Sequence, residues 1–587
     1  MSHIHNFHIP VMGLGFTVDT PLKVARFGIS SVVSIMDDQL LEDMRSHYTP
    51  ENQFEPISEK VPDSRTKRIK AYLNFLQRTV DAQVEELKSQ NFGEGQEIDK
   101  YFDLLPIDHP LSSLYLKMKL ATGNEKLDLQ EALREAIVPG SIDVNIMTKV
   151  DKLNYDKEGN ALPREYSDAL LALKGFAESD VKGGVVFSAG MNPSLYGYAE
   201  QFEDFFPDEN GQIKKPIILK VSDYRSALVQ GKFLAKKGLW VDEYRIESGL
   251  NCGGHAFATD GFLAGPILDH FKSNRENLRN DVLTICQAAL MNKNRPLLSS
   301  RVQPRITYQG GIGNSDENQM LLEKYELDGT GWGSPFLLVP EATSVDEKTF
   351  EKLLKAKKSD FYLSRASPLG VPFNNLRTST AEAQRKERIA KGRPGSPCYK
   401  KLLSSNVEFT DKPICTASRQ YQNLKIKEKE AGKISDAELN EVLEKDCLCE
   451  GLGAPALLSV GETPRRNLNA VTICPGPNLA YFKGSFSLKE MVDHIYGKVN
   501  LSLDPDRPHV FVKELQLYVK HLKSDIENAM PENGKKVEAY INKFKKNLSE
   551  GIAYYQEFKD SWSMENTLVL ERVKAQLAEM KLNLQLA

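Results

Sequence analysis

Eight short apolar runs, spaced by helical patterns, constrain this chain more than any other feature. They read HIPVMGLG (8–15), SSVVSIMDD (30–38), SIDVNIMTKVD (141–151), GGVVFSAG (183–190), KPIILKVS (215–222), VDEYRIES (241–248), PRITYQGGIG (304–313) and DGTGWGSPFLLVP (328–340). Runs of this length and type are the mark of parallel strands covered by helices. Parallel strands need long crossovers. The chain supplies them in TPLKVARFG (20–28), DYRSALVQGKFLAKKGL (223–239) and SDENQMLLEKYEL (315–327). In the first, Thr20 caps, Pro21 takes the first helical position and Gly28 stops the helix. In the third, Ser315 is the expected cap. Eight βα units in roughly 340 residues predict an α/β fold, a (β/α)8 TIM barrel. An open doubly wound sheet is the competing arrangement.

Three stretches break this rhythm. Residues 38–140 are polar and helical in pattern, as in SRTKRIKAYLNFLQRTVDAQVEELKS (64–89) and LDLQEALREAI (127–137), and are expected to form an inserted helical lobe or lid. Residues 346–485 are irregular, rich in Pro, Gly and charge, and hold most of the cysteines. Residues 486–587 are amphipathic, as in HVFVKELQLYVKHLKSDIENAM (509–530), and are expected to be mostly helical. The barrel itself is then 1–37 joined to 141–345.

Bulk properties narrow the function. A net charge of -4 over 587 residues gives no reason to expect nucleic acid or an anionic membrane as partner. The start MSHIHNFHIP has neither a basic n-region nor an apolar core, and no run of about 18 apolar residues occurs, so neither a signal peptide nor a membrane span is expected. Seven cysteines without an export signal fit a reducing cytoplasm.

Glycines follow the strands along the series. The informative pair is GGIGNS (310–315) after the seventh run and GTGWGS (329–334) around the eighth. In a barrel, loops at these places commonly seat a phosphate on backbone N–H groups and a helix N-terminus. Glycine lets that backbone come close. Tight turns without a ligand are the plainer alternative.

The ordered set IPVMGLGFTVDTPLKVARFG, VNIM, GGVVFSAGMN, ILKVS, GGH, ITYQGGIG and GTGWGSPFLL resembles the nitronate monooxygenase family. That family includes FMN-dependent enoyl-acyl-carrier-protein reductases and the enoylreductase subunits of polyunsaturated fatty acid synthases. The resemblance covers about residues 9–345, apart from the inserted lobe. It implies a barrel with FMN as cofactor. It also implies Met12 and Gly13 against the flavin ring, Asn145 and Lys220 at its polar edge or ribityl chain, and Gly310, Gly311, Gly333 and Ser334 at the phosphate. Gly253 and Gly254 would let the backbone pass the cofactor. His255 would stand on the substrate side and carry a proton, which an imidazole suits because it titrates near neutrality. A histidine there also serves as a hydrogen-bonded structural or substrate-binding group. Cys252 is a further reactive candidate.

The later cysteines lie outside the resemblance. Cys415 sits in KPICTASRQY, Cys447 and Cys449 in KDCLCEG, and Cys474 in TICPGP, with Cys398 in GSPCYKK as a spare. Four thiolates suit an iron–sulfur cluster or a tetrahedral zinc, while isolated buried cysteines act as small hydrophobes. The resulting expectation is an FMN oxidoreductase fed by NAD(P)H or a protein donor. Its substrate would be a small activated molecule, a nitronate or an enoyl thioester, with the 38–140 lobe closing over it. A carrier-dependent enoyl reductase subunit is the runner-up. A flavin-bearing scaffold, whose C-terminal helices bind a protein partner or a second copy, is the reading from another class.

Overall fold

The computed structural model describes residues 4–61, 63–188, 190–255, 260–476, 478–502, 504, 507–527, 534–557 and 564–579. Seven of the eight apolar runs contain a strand and the first overlaps one: β1 Phe7–Ile9, β2 Ser30–Ser34, β3 Ile142–Met147, β4 Val185–Ser188, β5 Ile217–Val221, β6 Glu243–Glu247, β7 Arg305–Gln309 and β8 Gly329–Gly331. They pair in parallel in sequence order, and β1 closes on β8 through Phe7↔Thr330 and His8↔Gly331. This closed ring is a (β/α)8 barrel, and the open-sheet alternative falls away.

The ring has a divided interior. Val32, Val186 and Ile218, from β2, β4 and β5, pack with Val11 into one apolar patch inside it. The opposite half is polar. Along β6, Glu243, Arg245 and Glu247 alternate with Tyr244 and Ile246, so period two sends all three charges inward. Arg245 bonds Glu243 at 2.7 Å and reaches Asp143 of β3 at 3.4 Å, across the barrel. Thr307 donates to Glu243 at 2.6 Å, and Gln309 meets His8 of β1. Buried charges of this kind persist only when paired.

The expected helical stop is present and both expected caps shift by one residue: Asp19, not Thr20, precedes the helix Thr20–Val24, which puts Pro21 at its second position, and the Thr20 hydroxyl donates instead to Ala342 O. Gly28 adopts φ 78° and ends the first crossover. Asn314, not Ser315, caps the helix Ser315–Lys324, its side chain accepting from Glu317 N at 2.9 Å. An asparagine side chain one residue upstream reaches the same orphan amide.

Residues 38–140 are helical, but they wrap the flank of the barrel. The helix Ser64–Ser89 packs against Asp168–Ala177 as an ordinary outer-ring helix. The approach is close: a Cβ on Gly175 would meet Thr66 O at 2.9 Å. The barrel mouth is roofed instead by the cysteine-bearing region. That region carries an antiparallel hairpin, β9 Phe361–Ser364 and β10 Phe373–Leu376, and several short helices. It reaches the β1 loop, where Gly15 N donates to Leu452 O at 2.9 Å. The helix Val510–Glu527 then docks on the loops after β6 and β7. Its Glu514 accepts from Ser248 Oγ, Gly249 N and Ala264 N at 2.7–3.1 Å. Among the described residues no helix is long and apolar enough to cross a membrane.

Candidate active site

A cleft of about 1020 Å³, mouth included, opens at the C-terminal ends of β1 to β6. This is the end at which (β/α)8 barrels carry their sites, because the loops there vary without disturbing the ring. Its floor is formed by Val11, Ser34, Asn145, Ser188, Lys220 and Glu247, and its roof by Phe373, Leu402, Leu403, Leu448 and Leu452. The floor is polar and the roof is apolar.

Lys220 and Glu247 pair at 2.8 Å on neighbouring strands. Gln309 also donates to Glu247, at 2.7 Å. The mouth is thus joined to the polar half of the barrel interior, and the Lys220 charge is locally balanced. Glu247 escaped the sequence reading. Its signal was the alternation E-Y-R-I-E, which marks a strand with a charged inner face. Asn145 Oδ1 is buried and has no hydrogen-bond partner among the described residues. A buried acceptor left open costs stability and points to a ligand that completes it.

Gly13, Gly254 and His255 also line the cleft. Met12 does not. It packs into the main core from the loop that follows β1, while Val11 and Gly13 on either side of it line the cleft. Gly254 holds φ 83°, and an added Cβ there would meet nothing. Its carbonyl accepts from Asn374 N at 2.9 Å, which ties the loop to β10.

His255 is held from several sides. Its Nε2 lies 2.7 Å from Ser367 Oγ, its carbonyl accepts from Asn251 Nδ2, and its ring meets Phe373 edge-on at 5.3 Å. Burial, reinforced by the positive charges of Lys220 and Lys149, lowers its pKa to about 4. The ring is therefore neutral at physiological pH. It can donate or accept one hydrogen bond, but it is a poor store for a proton. Cys252 also lines the cleft, and burial drives its thiol far above its usual range, which disfavours the thiolate.

Gly310, Gly311, Gly333 and Ser334 do not line this cleft. They sit beside it under the loop 248–254, where a Cβ on Gly311 would strike Leu250 at 2.5 Å and one on Gly333 would strike Cys252 at 2.6 Å. The loop is held by its carbonyls: Arg507 donates to Gly311 O, Asn478 to Ile312 O, and His494 Nε2 lies 3.0 Å from Gly313 O. The Gly313 amide is already taken by Glu317, at 2.9 Å. Pinning Gly311 O turns the Ile312 N–H of the same peptide plane the other way. The N–H groups of Gly311, Ile312, Gly333 and Ser334 have no partner among the described residues, although all four residues are buried. Strands β7 and β8 are adjacent, with Gln309 opposite Gly331, so these amides cap neighbouring strands.

The cysteines are grouped differently from the expectation. The thiols of Cys398 and Cys415 touch, as do those of Cys447 and Cys449, and the two pairs face each other. Cys474 is elsewhere. Its sulfur accepts from the amides of Gly13 and Gly254 at the mouth, and burial raises its pKa to about 12. Cys398, the spare candidate, thus joins the group in place of Cys474, and it meets Cys447 only through tertiary packing. Among the described residues no three or more His, Cys, Asp or Glu side chains are close enough to hold one metal ion between them.

No protein-family model and no curated protein matches the sequence. Among solved structures, partial likeness is found to FabK from Thermotoga maritima, at 12% identity and a TM-score of 0.35, over 89% of this chain and 96% of that one. The enoyl reductase domain of MlnA from the macrolactin biosynthesis cluster of Bacillus amyloliquefaciens matches at 14% and 0.31, over 76% and 93%. Nitroalkane oxidase from Streptomyces ansochromogenes matches at 10% and 0.33, over 84% and 95%. At TM-scores of this size the likeness decides nothing about this chain, whose barrel stands on its own ring of strands.

Proposed function

We propose that this chain is an FMN-dependent oxidoreductase, of the type the nitronate monooxygenase resemblance implies, acting on a small activated substrate that carries an apolar tail. One observation carries the reading. A cleft floor with an open acceptor at Asn145 lies beside a row of unpaired buried amides on the loops after β7 and β8. A ring with hydrogen-bonding edges joined to a phosphate needs both features, and the glycines there leave room for no side chain.

FMN, when bound, supplies a reversible carrier of an electron pair. Gly311, Ile312, Gly333 and Ser334 would hold its phosphate. Asn145 and Lys220 would hold the polar edge of its ring. Lys220 contributes positive charge on the floor, and Glu247 moderates it and fixes its position. His255, neutral and braced by Ser367, orients a substrate oxygen through one hydrogen bond. The roof of leucines and Phe373 excludes water and receives an apolar chain. That roof favours an enoyl thioester over a short nitronate, and NAD(P)H is the proposed source of electrons.

The test is spectroscopic. Purified protein, reconstituted with FMN, should show flavin absorption that bleaches anaerobically with NAD(P)H. Colour should return faster with a medium-chain enoyl thioester than with a short alkyl nitronate. Failure to retain FMN after reconstitution and gel filtration overturns the reading, and a preference for the nitronate overturns the substrate assignment.

A further inference from the structure

Four cysteines from three separate stretches of chain meet beside the cleft roof. All six pairings among Cys398, Cys415, Cys447 and Cys449 are close enough to interact, and two of them are direct thiol contacts. Chance burial of small apolar residues does not select sulfur four times in one spot.

The backbone around them is built for sulfur. The amide of Lys401 donates to the Cys398 sulfur, that of Ala417 to Cys415 and that of Glu450 to Cys447. Each donor lies two or three residues after its cysteine, so each cysteine sits in a tight turn whose free amide points at its own sulfur. Cys398 itself adopts φ 53°, a left-handed conformation that a residue with a side chain takes only when its surroundings hold it there. The first two turns are locked together, because Ser396 N donates to Ala417 O and Arg419 N to Ser396 O. Lys401 adds positive charge at Cys398, and Lys400 does the same at Cys449. A surface cavity lined by Cys398, Lys401, Ser404 and Cys415 gives an entry path. On the other side, Cys449 lines the cleft itself.

We propose that Cys398, Cys415, Cys447 and Cys449 are the ligands of an iron–sulfur cluster set in the wall of the cleft. The spacing separates this from zinc. A single zinc with Zn–S bonds of about 2.3 Å draws four sulfurs to within roughly 4 Å of each other. Here the sulfurs form two pairs, and no three side chains close around one point. A [2Fe–2S] cluster suits that spacing, because each of its two irons takes a pair of thiolates. Amide donors to the sulfurs are one of the levers that set such a centre's potential. The assignment needs nothing from the flavin reading.

The experiment is metal and sulfide analysis of full-length protein made with ample iron and purified without oxygen. Iron and acid-labile sulfide in equal amounts, at about two per chain, with absorption near 400 nm that dithionite bleaches, are expected. Cys398→Ser, Cys415→Ser and Cys447→Ser should each lose at least half of the iron, while Cys474→Ser and Cys286→Ser keep it. One zinc per chain, no metal, or disulfides Cys398–Cys415 and Cys447–Cys449 in the anaerobic protein would each overturn the proposal. So would full iron in Cys398→Ser with loss in Cys474→Ser. If the serine variants do not fold, wild-type iron and sulfide content with ⁵⁷Fe Mössbauer spectra decides alone. Flavin is assayed separately, so flavin without iron refutes only the cluster, and iron without flavin refutes only the oxidoreductase reading.

Discussion

Arg507 is the sharpest place to test how the C-terminal region supports the barrel. Its guanidinium bonds both oxygens of Glu317 at 2.8 Å, and the two side chains are only 4% and 2% exposed. Glu317 also accepts from Gly313 N and Val510 N at 2.9 and 2.7 Å. Burial pushes the Glu317 carboxyl up, but Arg507, His509 and the hydrogen bonds from Arg507 and Gly313 together outweigh it, and the net shift is downward. Arg507→Met keeps the volume and removes the charge, leaving a buried carboxylate uncompensated. Breaking such a pair costs about 3–5 kcal/mol. With an unfolding entropy near 2.1 cal/mol/K per residue, a chain of 587 residues should lose about 2.5–4 °C in Tm. Glu317→Gln removes the charge and keeps one of the two backbone acceptances, since its amide nitrogen only donates. The double variant should therefore regain part of the loss, a coupling that a thermodynamic cycle reads directly.

The pH dependence gives a second check on Arg507. A depressed carboxylate contributes stability that is present above its unfolded value of 4.5 and is lost as pH falls through its folded value. In Arg507→Met the carboxyl instead takes up a proton readily as pH drops. The gap in Tm between wild type and variant should narrow from pH 8 to pH 4.5. Additive single and double variants, or a gap that stays constant over that range, would refute the electrostatic account.

Three further outcomes are expected. The ¹⁵N spectrum of the His255 imidazole should stay neutral from pH 8 down to 5, and a midpoint at or above pH 6 contradicts its buried placement. Because that folded value lies below the unfolded one, its contribution to stability is present above pH 6.5 and falls away as pH drops toward 4. Gly311→Val must adopt φ 86° and meet Leu250 at 2.5 Å, so it should lower Tm and reduce FMN retention at least tenfold, and unchanged retention would remove the phosphate assignment. Burial raises Asp242 to about 7, so wild-type stability should fall as pH rises from 3.8 through 7; Asp242→Asn, measured by denaturant midpoints at pH 5 and 8, should flatten that slope.

Short apolar runs, proline at a helix start and glycine at its end act within a few residues, so the eight strands and their crossovers were readable without coordinates. Gly13, Asn145, Lys220, Gly254 and His255, which the resemblance implied, line the mouth, where strand ends and the loops after them gather once the ring closes. Ring closure itself, the flank position of 38–140 and the roof over the cleft depend on which surfaces meet, and no local pattern states that. Met12, expected against the flavin ring, turns into the core from the loop after β1, and Cys398, the spare candidate, joins the thiol group in place of Cys474. The Glu247 partner of Lys220, the neutral state of His255 and the meeting of four thiols all arise between segments far apart in sequence. Burial and charge act through space, and only the folded chain sets those distances.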